Sequence, residues 1–275
     1  MRLNGNVKET DWLPRHWKLK RRSNQAPSRS RGEVIPSTGS ASVSRPRVKC
    51  HVFVDFDGTI ASLDTTDLLL ERFAAPAWRQ IEDDWKAGLI GSRECLVRQI
   101  DLVRATPADL DDFIAHVEID PGFPAFVDLC LEQGHDVTVV SDGLDRTVEA
   151  VLKRHHLDLP FYANHLEWRG ADRWRLRFPY ARSDCEALSG NCKCQFTERA
   201  RFDLRMVIGD GRSDFCIARR ADLVLAKSAL LPHCVATDLP VRAFETFRQA
   251  RDLLAGWLDG HGAIVSVAEE QRADD

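Results

Sequence analysis

The chain is 275 residues long, 44% hydrophobic and 29% charged, which suffices for one sizeable core with a small second lobe and excludes a fibrous or wholly disordered protein. No stretch approaches the roughly 20 consecutive apolar residues that span a bilayer, and no apolar segment follows the charges near the start, so neither a membrane span nor a secretory signal is expected. The net charge of −4 joins two unlike regions, +9 over residues 1–49 and −13 over the remainder.

Residues 1–48 read as a disordered basic tail, because Ser23 to Pro46 is Ser, Pro, Gly and Arg with almost no large apolar side chain to offset its ordering entropy. Such a leader is a passive tail or mis-placed start, a transit peptide, or a nucleic-acid tether. Only Trp12 and Trp17 stand among the bases, so nucleic-acid contact is not expected. The scattered Cys50, Cys95, Cys130, Cys216 and Cys234 do not form the dense framework of a small secreted domain, and a reduced, cytoplasmic protein is the expectation.

The pattern changes at Lys49. Cys50 to Val54 is a short apolar run and reads as a buried strand ending at Asp55. Four helical stretches follow between Asp67 and Val117, punctuated by Pro76, Gly88, Gly91 and Pro107. Trp78 and Trp85, at helical spacing, are expected in the core of that lobe. A helix over Phe123 to Glu132, a strand over Val137 to Val140, and a helix over Asp145 to His155 come next. Then a hairpin is predicted, with arms Tyr162–Trp168 and Trp174–Phe178. Strands at Arg205 to Ile208 and Leu223 to Leu225 precede a last helix, about Val241 to Trp257. Strands alternating with helices predict an α/β protein: a Rossmann-like, doubly wound, mostly parallel sheet with a small helical cap inserted after the first strand.

Three of these strands end in polar groups: Asp55-Phe56-Asp57-Gly58-Thr59, Ser141-Asp142-Gly143, and Gly209-Asp210-Gly211-Arg212-Ser213-Asp214. In such a sheet ligands bind beyond the carboxyl ends of the strands, so the three loops share one crevice. Carboxylates that close repel unless a cation or a proton intervenes, which points to a hard divalent ion, Mg²⁺. Its expected ligands are Asp55, a backbone carbonyl of the same loop assigned to Asp57, and Asp210, with waters and a substrate oxygen. None of the nine histidines lies in these loops, which argues against a zinc hydrolase.

The ordered set Asp55-Phe56-Asp57-Gly58-Thr59, Ser141, Lys193 and Gly209-Asp210 with Asp214 resembles the four signatures of the haloacid dehalogenase superfamily of phosphatases, over about residues 49 to 260. The resemblance implies a hydrolase core at 49–66 and 121–262, a helical cap at 67–120 and an acidic tail at 263–275. It implies that Asp55 attacks phosphorus to form an aspartyl phosphate and that Asp57 is the acid and base. Ser141 and Lys193 would hold the phosphoryl oxygens and Asp210 the metal. Asp214 would orient Lys193 or a metal-bound water, with Thr59 and Gly143 in support.

The cap placement resembles the subgroup that includes phosphoserine phosphatases. The segment Phe73 to Trp78, Asn164-His165, and Cys185 with Cys192-Lys193 are similar to the 2-hydroxy-3-keto-5-methylthiopentenyl-1-phosphate phosphatases of methionine salvage and, more distantly, to phosphocholine and phosphoethanolamine phosphatases. The implied partner is a small phosphate ester. A non-catalytic binding protein that uses its basic tail is the alternative from another class. Asp142 stands where that family usually has glycine, and either selects a cationic substrate or points away.

Around the leaving-group side, Asp64, Thr65, Thr66 and Asp67 either touch substrate or start a helix, with Thr66 as its cap. Cys185, Cys192 and Cys194 are spaced C-x₆-C-x-C, with no evident fourth ligand. They are ordinary thiols or a metal or disulfide staple that positions Lys193.

Overall fold

The computed structural model describes residues 48–198 and 202–273, and for 261–273 the backbone only. The basic tail expected at 1–48 therefore lies outside the described residues except for its last position.

Seven strands form one sheet: β1 (Cys50–Val54), β2 (Asp136–Leu144), β3 (Phe161–Gly170), β4 (Arg173–Arg177), β5 (Leu204–Gly209), β6 (Leu223–Ala226) and β7 (Val241–Ala243). Their spatial order is β4-β3-β2-β1-β5-β6-β7. Every neighbouring pair is parallel except the β3–β4 hairpin. Helices α5 (Phe123–Glu132), α6 (Asp145–Arg154), α7 (Cys194–Glu198), α8 (Phe215–Ala218), α9 (Leu230–Ala236) and α10 (Phe247–Ala273) connect or follow the strands.

Side chains alternate across a strand, and here both faces are covered. Val52, Val54, Val139, Met206 and Ile208 enter the large core with Phe123, Phe126 and Phe247. Phe53, Val140 and Val207 turn to the other face, against Phe196 and Ile217. Burial on both faces explains why the central strands read as unbroken apolar runs.

Between β1 and α5 lie α1 (Thr65–Phe73), α2 (Trp78–Lys86), α3 (Ser92–Ile100) and α4 (Pro107–Ala115). The chain leaves and returns at a narrow neck, where Ala61 and Ile119 form an isolated antiparallel bridge and Asp120 N–H donates to the Ile60 carbonyl at 2.9 Å. α4 begins with a capping box, Thr106 and Asp109 satisfying each other's backbone N–H, followed by Pro107 at the first helical position.

Several expectations are corrected. Val241 to Ala243 is not the start of the last helix but a seventh strand, paired with β6, and α10 begins at Phe247. That helix continues to Ala273, through most of the expected acidic tail. β2 runs past Ser141 to Leu144, with its register to β3 shifting between Val140 and Leu144. The cap of α1 is Asp64, whose carboxylate accepts from Asp67 N–H at 2.9 Å, and not Thr66. Trp78 is buried, whereas Trp85 lines an open cavity beneath Arg212.

Candidate active site

β1 occupies the middle of the sheet, and the chain departs from it in both directions, to β2 on one side and β5 on the other. That reversal leaves a crevice at the carboxyl edge. Asp55 is the first residue past β1 and Asp210 the first past β5; Asp55 N–H still bonds the Ile208 carbonyl at 2.9 Å. Just after Asp57, Gly58 takes φ +66°, and a Cβ there would stand 2.5 Å from the Asp210 carboxylate. Only glycine allows both the turn and that approach.

Lys193 enters from the segment before α7, with its side chain 1% exposed. Its ammonium lies 2.7 Å from Asp55 Oδ1, 2.7 Å from Asp214 Oδ1 and 3.0 Å from Ser213 Oγ, which accounts for its three protons. Burial alone would lower the Lys193 pKa, but Asp214 and Asp55 outweigh it and hold the ammonium above its ordinary value. The second Asp214 oxygen accepts from the backbone N–H groups of Asp210 and Gly211 at 3.3 and 3.4 Å, folding the third loop back on itself.

Asp55, Asp210 and Asp214 each present an oxygen within 4.8 Å of the other two. Burial, then the Asp214 charge, push Asp55 well above the usual carboxylate range despite Lys193. The same two causes push Asp210 up to about 6. Three carboxylates against one ammonium leave uncompensated negative charge among oxygen donors, and this donor set fits a hard divalent cation.

Asp57 faces the other side of the crevice. Its Oδ1 accepts from both Thr65 N–H, at 2.9 Å, and Thr65 Oγ1, at 2.5 Å, and its Oδ2 receives a long 3.4 Å contact from Ser141 Oγ. Burial and the charge of Asp64 push Asp57 up to about 7 against those Thr65 bonds. Its carboxylate stands outside the three-aspartate group. Ser141 Oγ accepts from Gly143 N–H at 2.9 Å, and a Cβ at Gly143 would fall 2.2 Å from Asp57 Oδ2. Thr59 Oγ1 reaches Asp210 at 3.5 Å. The fold thus gathers Asp55, Lys193, Asp210, Asp214 and Thr59 at one point and Asp57, Ser141 and Gly143 beside them.

Asp142 does not stand free for a substrate. Its carboxylate is engaged by the Ser92 hydroxyl at the start of α3, by Asn164 Nδ2 at 3.1 Å and by Asn191 N–H at 2.7 Å. Asn191 also donates through Nδ2 to the carbonyls of Ser141 and Tyr162, tying the Lys193 segment to β2 and β3. The roles of Asn191, Ser213 and Thr65 come from these contacts and not from the sequence pattern, where Asn191 shows only as a polar residue beside Cys192 and Lys193.

A cavity of about 510 Å³ opens from Asp55 and Asp57 toward α1, α2 and α3. Asp64, Asp67, Glu82 and Gln99 supply its polar wall and Leu63, Trp85 and Leu96 its apolar wall. Burial, then Asp64 and Glu82, push Asp67 up to about 7.

The model of the haloacid dehalogenase-like hydrolases matches residues 52–219, a span that holds Asp55, Asp57, Ser141, Lys193, Asp210 and Asp214. The chain belongs to that family. Among haloacid dehalogenase-like hydrolases it is of the phosphatase kind, as its relatives indicate. It is 32% identical over 213 residues to the 2-hydroxy-3-keto-5-methylthiopentenyl-1-phosphate phosphatase of Brevibacillus brevis, covering 75% of this chain and 95% of that one. It is 31% identical over 208 residues to the like-named protein of Geobacillus kaustophilus, covering 74% and 94%. A solved phosphoserine phosphatase, as a phospho-aspartyl intermediate analogue, superposes with a TM-score of 0.57 at 19% identity, covering 72% of this chain and 95% of that one, and bears out the fold. Among the described residues no helix is long and apolar enough to cross a membrane.

Proposed function

We propose that this hydrolase is a Mg²⁺-dependent phosphomonoesterase working through an aspartyl phosphate. The observation that carries the reading is the meeting of Asp55, Lys193 and Asp214 at 2.7 Å contacts, with Asp57 beside them on its own hydrogen bonds.

Asp55 attacks phosphorus in line as the ester P–O bond breaks, and Asp57 delivers a proton to the departing oxygen. Held by Thr65, Asp57 then takes a proton from the water that cleaves the acyl phosphate, a role worth roughly 10²- to 10⁴-fold in rate. Lys193, fixed by Asp55, Asp214 and Ser213, supplies positive charge to the phosphoryl oxygens, and Ser141 a hydroxyl. Asp55 and Asp210 would hold Mg²⁺, with a backbone carbonyl from Asp57; bound there, the ion would neutralise phosphoryl charge. The four inserted helices act as a cap over the leaving group.

The substrate is 2-hydroxy-3-keto-5-methylthiopentenyl-1-phosphate. Two things support this: relatives at about 30% identity carry that name, and the cavity pairs acceptors for a hydroxyl with an apolar wall for a thioether. Phosphoserine and phosphocholine are the comparison substrates.

Phosphate release from these three esters with Mg²⁺ tests the reading, with the enol phosphate expected to have the highest kcat/KM. A higher value for either comparison substrate overturns the substrate assignment. Asp55→Asn lowers turnover by at least about 10³-fold, and EDTA abolishes it reversibly. Full activity in either case overturns the mechanism.

A further inference from the structure

The stretch from Phe178 to Lys193 contains neither helix nor strand, yet it delivers the ammonium that meets Asp55 at 2.7 Å. Backbone without a regular ladder of its own is placed by the bonds that reach it from outside. Several of those come from the first turn of α3, in the cap. Arg93 N–H donates to the Leu188 carbonyl at 3.1 Å, and the Arg93 guanidinium donates to the carbonyls of Ser189 at 3.0 Å and Arg182 at 3.3 Å. The turn before α3 is equally close, for a Cβ at Gly91 would stand 2.6 Å from the Leu188 Cβ.

Asp142 completes this connection. Its Oδ1 accepts from Asn191 N–H at 2.7 Å and from Asn164 Nδ2 at 3.1 Å, and its Oδ2 accepts from the hydroxyl of Ser92, the first residue of α3. Asn191 stands two residues before Lys193, and Ser141 directly precedes Asp142. One carboxylate thus receives donors from the cap, from β3 and from the lysine segment, and three donors use most of the roughly four acceptor positions that a carboxylate has. We propose, resting on the phosphomonoesterase reading, that Asp142 is a positioning residue: through its carboxylate and Asn191, the start of α3 sets where Lys193 stands, so the cap shapes the phosphoryl site as well as covering the leaving group.

The bond pattern separates this role from recognition of a cationic leaving group. Asparagine at position 142 keeps an oxygen for the Asn191 and Asn164 donors and turns an N–H toward Ser92, whose hydroxyl accepts as readily as it donates. Alanine offers neither. A residue that recognised a cation would need its charge, and asparagine would then fail as alanine does. Lys193 acts on the phosphoryl group, which all the esters share, so a displaced ammonium slows every substrate alike.

The test uses full-length variants assayed with Mg²⁺ on the enol phosphate, phosphoserine and phosphocholine, and follows amide exchange at Arg93 and Asn191 by NMR without substrate. Asp142→Ala is expected to lower kcat by up to about 10²-fold on all the esters the wild type turns over, with KM little changed. Asp142→Asn is expected to restore most of that loss. In the substrate-free chain Asp142→Ala speeds exchange about tenfold at Asn191 and also at Arg93, on the far side of the joint. Ser92→Ala, which removes only the hydroxyl from the cap, moves both readouts the same way and serves if Asp142→Ala does not fold. A loss confined to phosphocholine, an Asp142→Asn variant as impaired as Asp142→Ala, or unchanged exchange at Arg93 overturns the proposal. Absence of phosphate release from every ester by the wild type counts against the phosphomonoesterase reading instead, and exchange at Arg93 then still supports or overturns the joint between α3 and Asn191.

Discussion

Gly143 shows how little room single atoms have in this crevice. Its N–H steadies Ser141, and the space where a side chain would begin is taken by the Asp57 carboxylate. Gly143→Ala must push Asp57 off its Thr65 bonds, while the apolar core beneath is untouched. Turnover is expected to fall about tenfold or more with little change in Tm, read by steady-state kinetics beside a thermal melt. An equal loss of both readouts would mean that the strand end itself had failed. Asp55, Asp57, Ser141, Asp210 and Asp214 could be picked out from letters because they follow apolar runs in a fixed order, whereas Lys193 follows none and was reached only through the family resemblance. Thr65 and Ser213 stand in segments the sequence marks, but their bonds to Asp57 and Lys193 arise only when a helix start and a loop approach the carboxylate and the ammonium.

Among elements, the helices of the insertion were legible because each is bounded by punctuation: Gly88 and Gly91 between α2 and α3, and Thr106-Pro107 before α4. The Thr106–Asp109 box is solvent-exposed, so its contribution is local and can be measured cleanly. Thr106→Ala is expected to cost about 1 kcal/mol, seen as a lower urea midpoint with an unchanged slope. β7 escaped notice for the opposite reason. Three residues, Val241 to Ala243, are too few to display a period, and their strand identity comes from pairing with β6. β2 likewise continues past Ser141 because the neighbouring β3 supplies partners that local sequence does not announce.

For the molecule as a whole, His51 in the central strand is expected to contribute acid sensitivity. Its ring stacks on Phe53 at 4.2 Å and meets the Thr138 hydroxyl at 2.7 Å, and burial lowers its pKa to about 4. The folded state thus resists a proton that the unfolded chain accepts near 6.5. The resulting stability is intact above 6.5 and is lost as pH falls toward 4, by at most about 3 kcal/mol. His51→Phe should flatten that loss in denaturant titrations at pH 7 and pH 4.5; an unaltered slope would place the sensitivity elsewhere. The strand order carries another consequence, for the newborn chain. As the ribosome delivers the polypeptide, β1 gains β2 early, but its other margin stays bare until Leu204 to Gly209 emerge. A half-made product therefore displays an unpaired apolar border at the centre of its future sheet, the kind of border that chaperones must shield from neighbours.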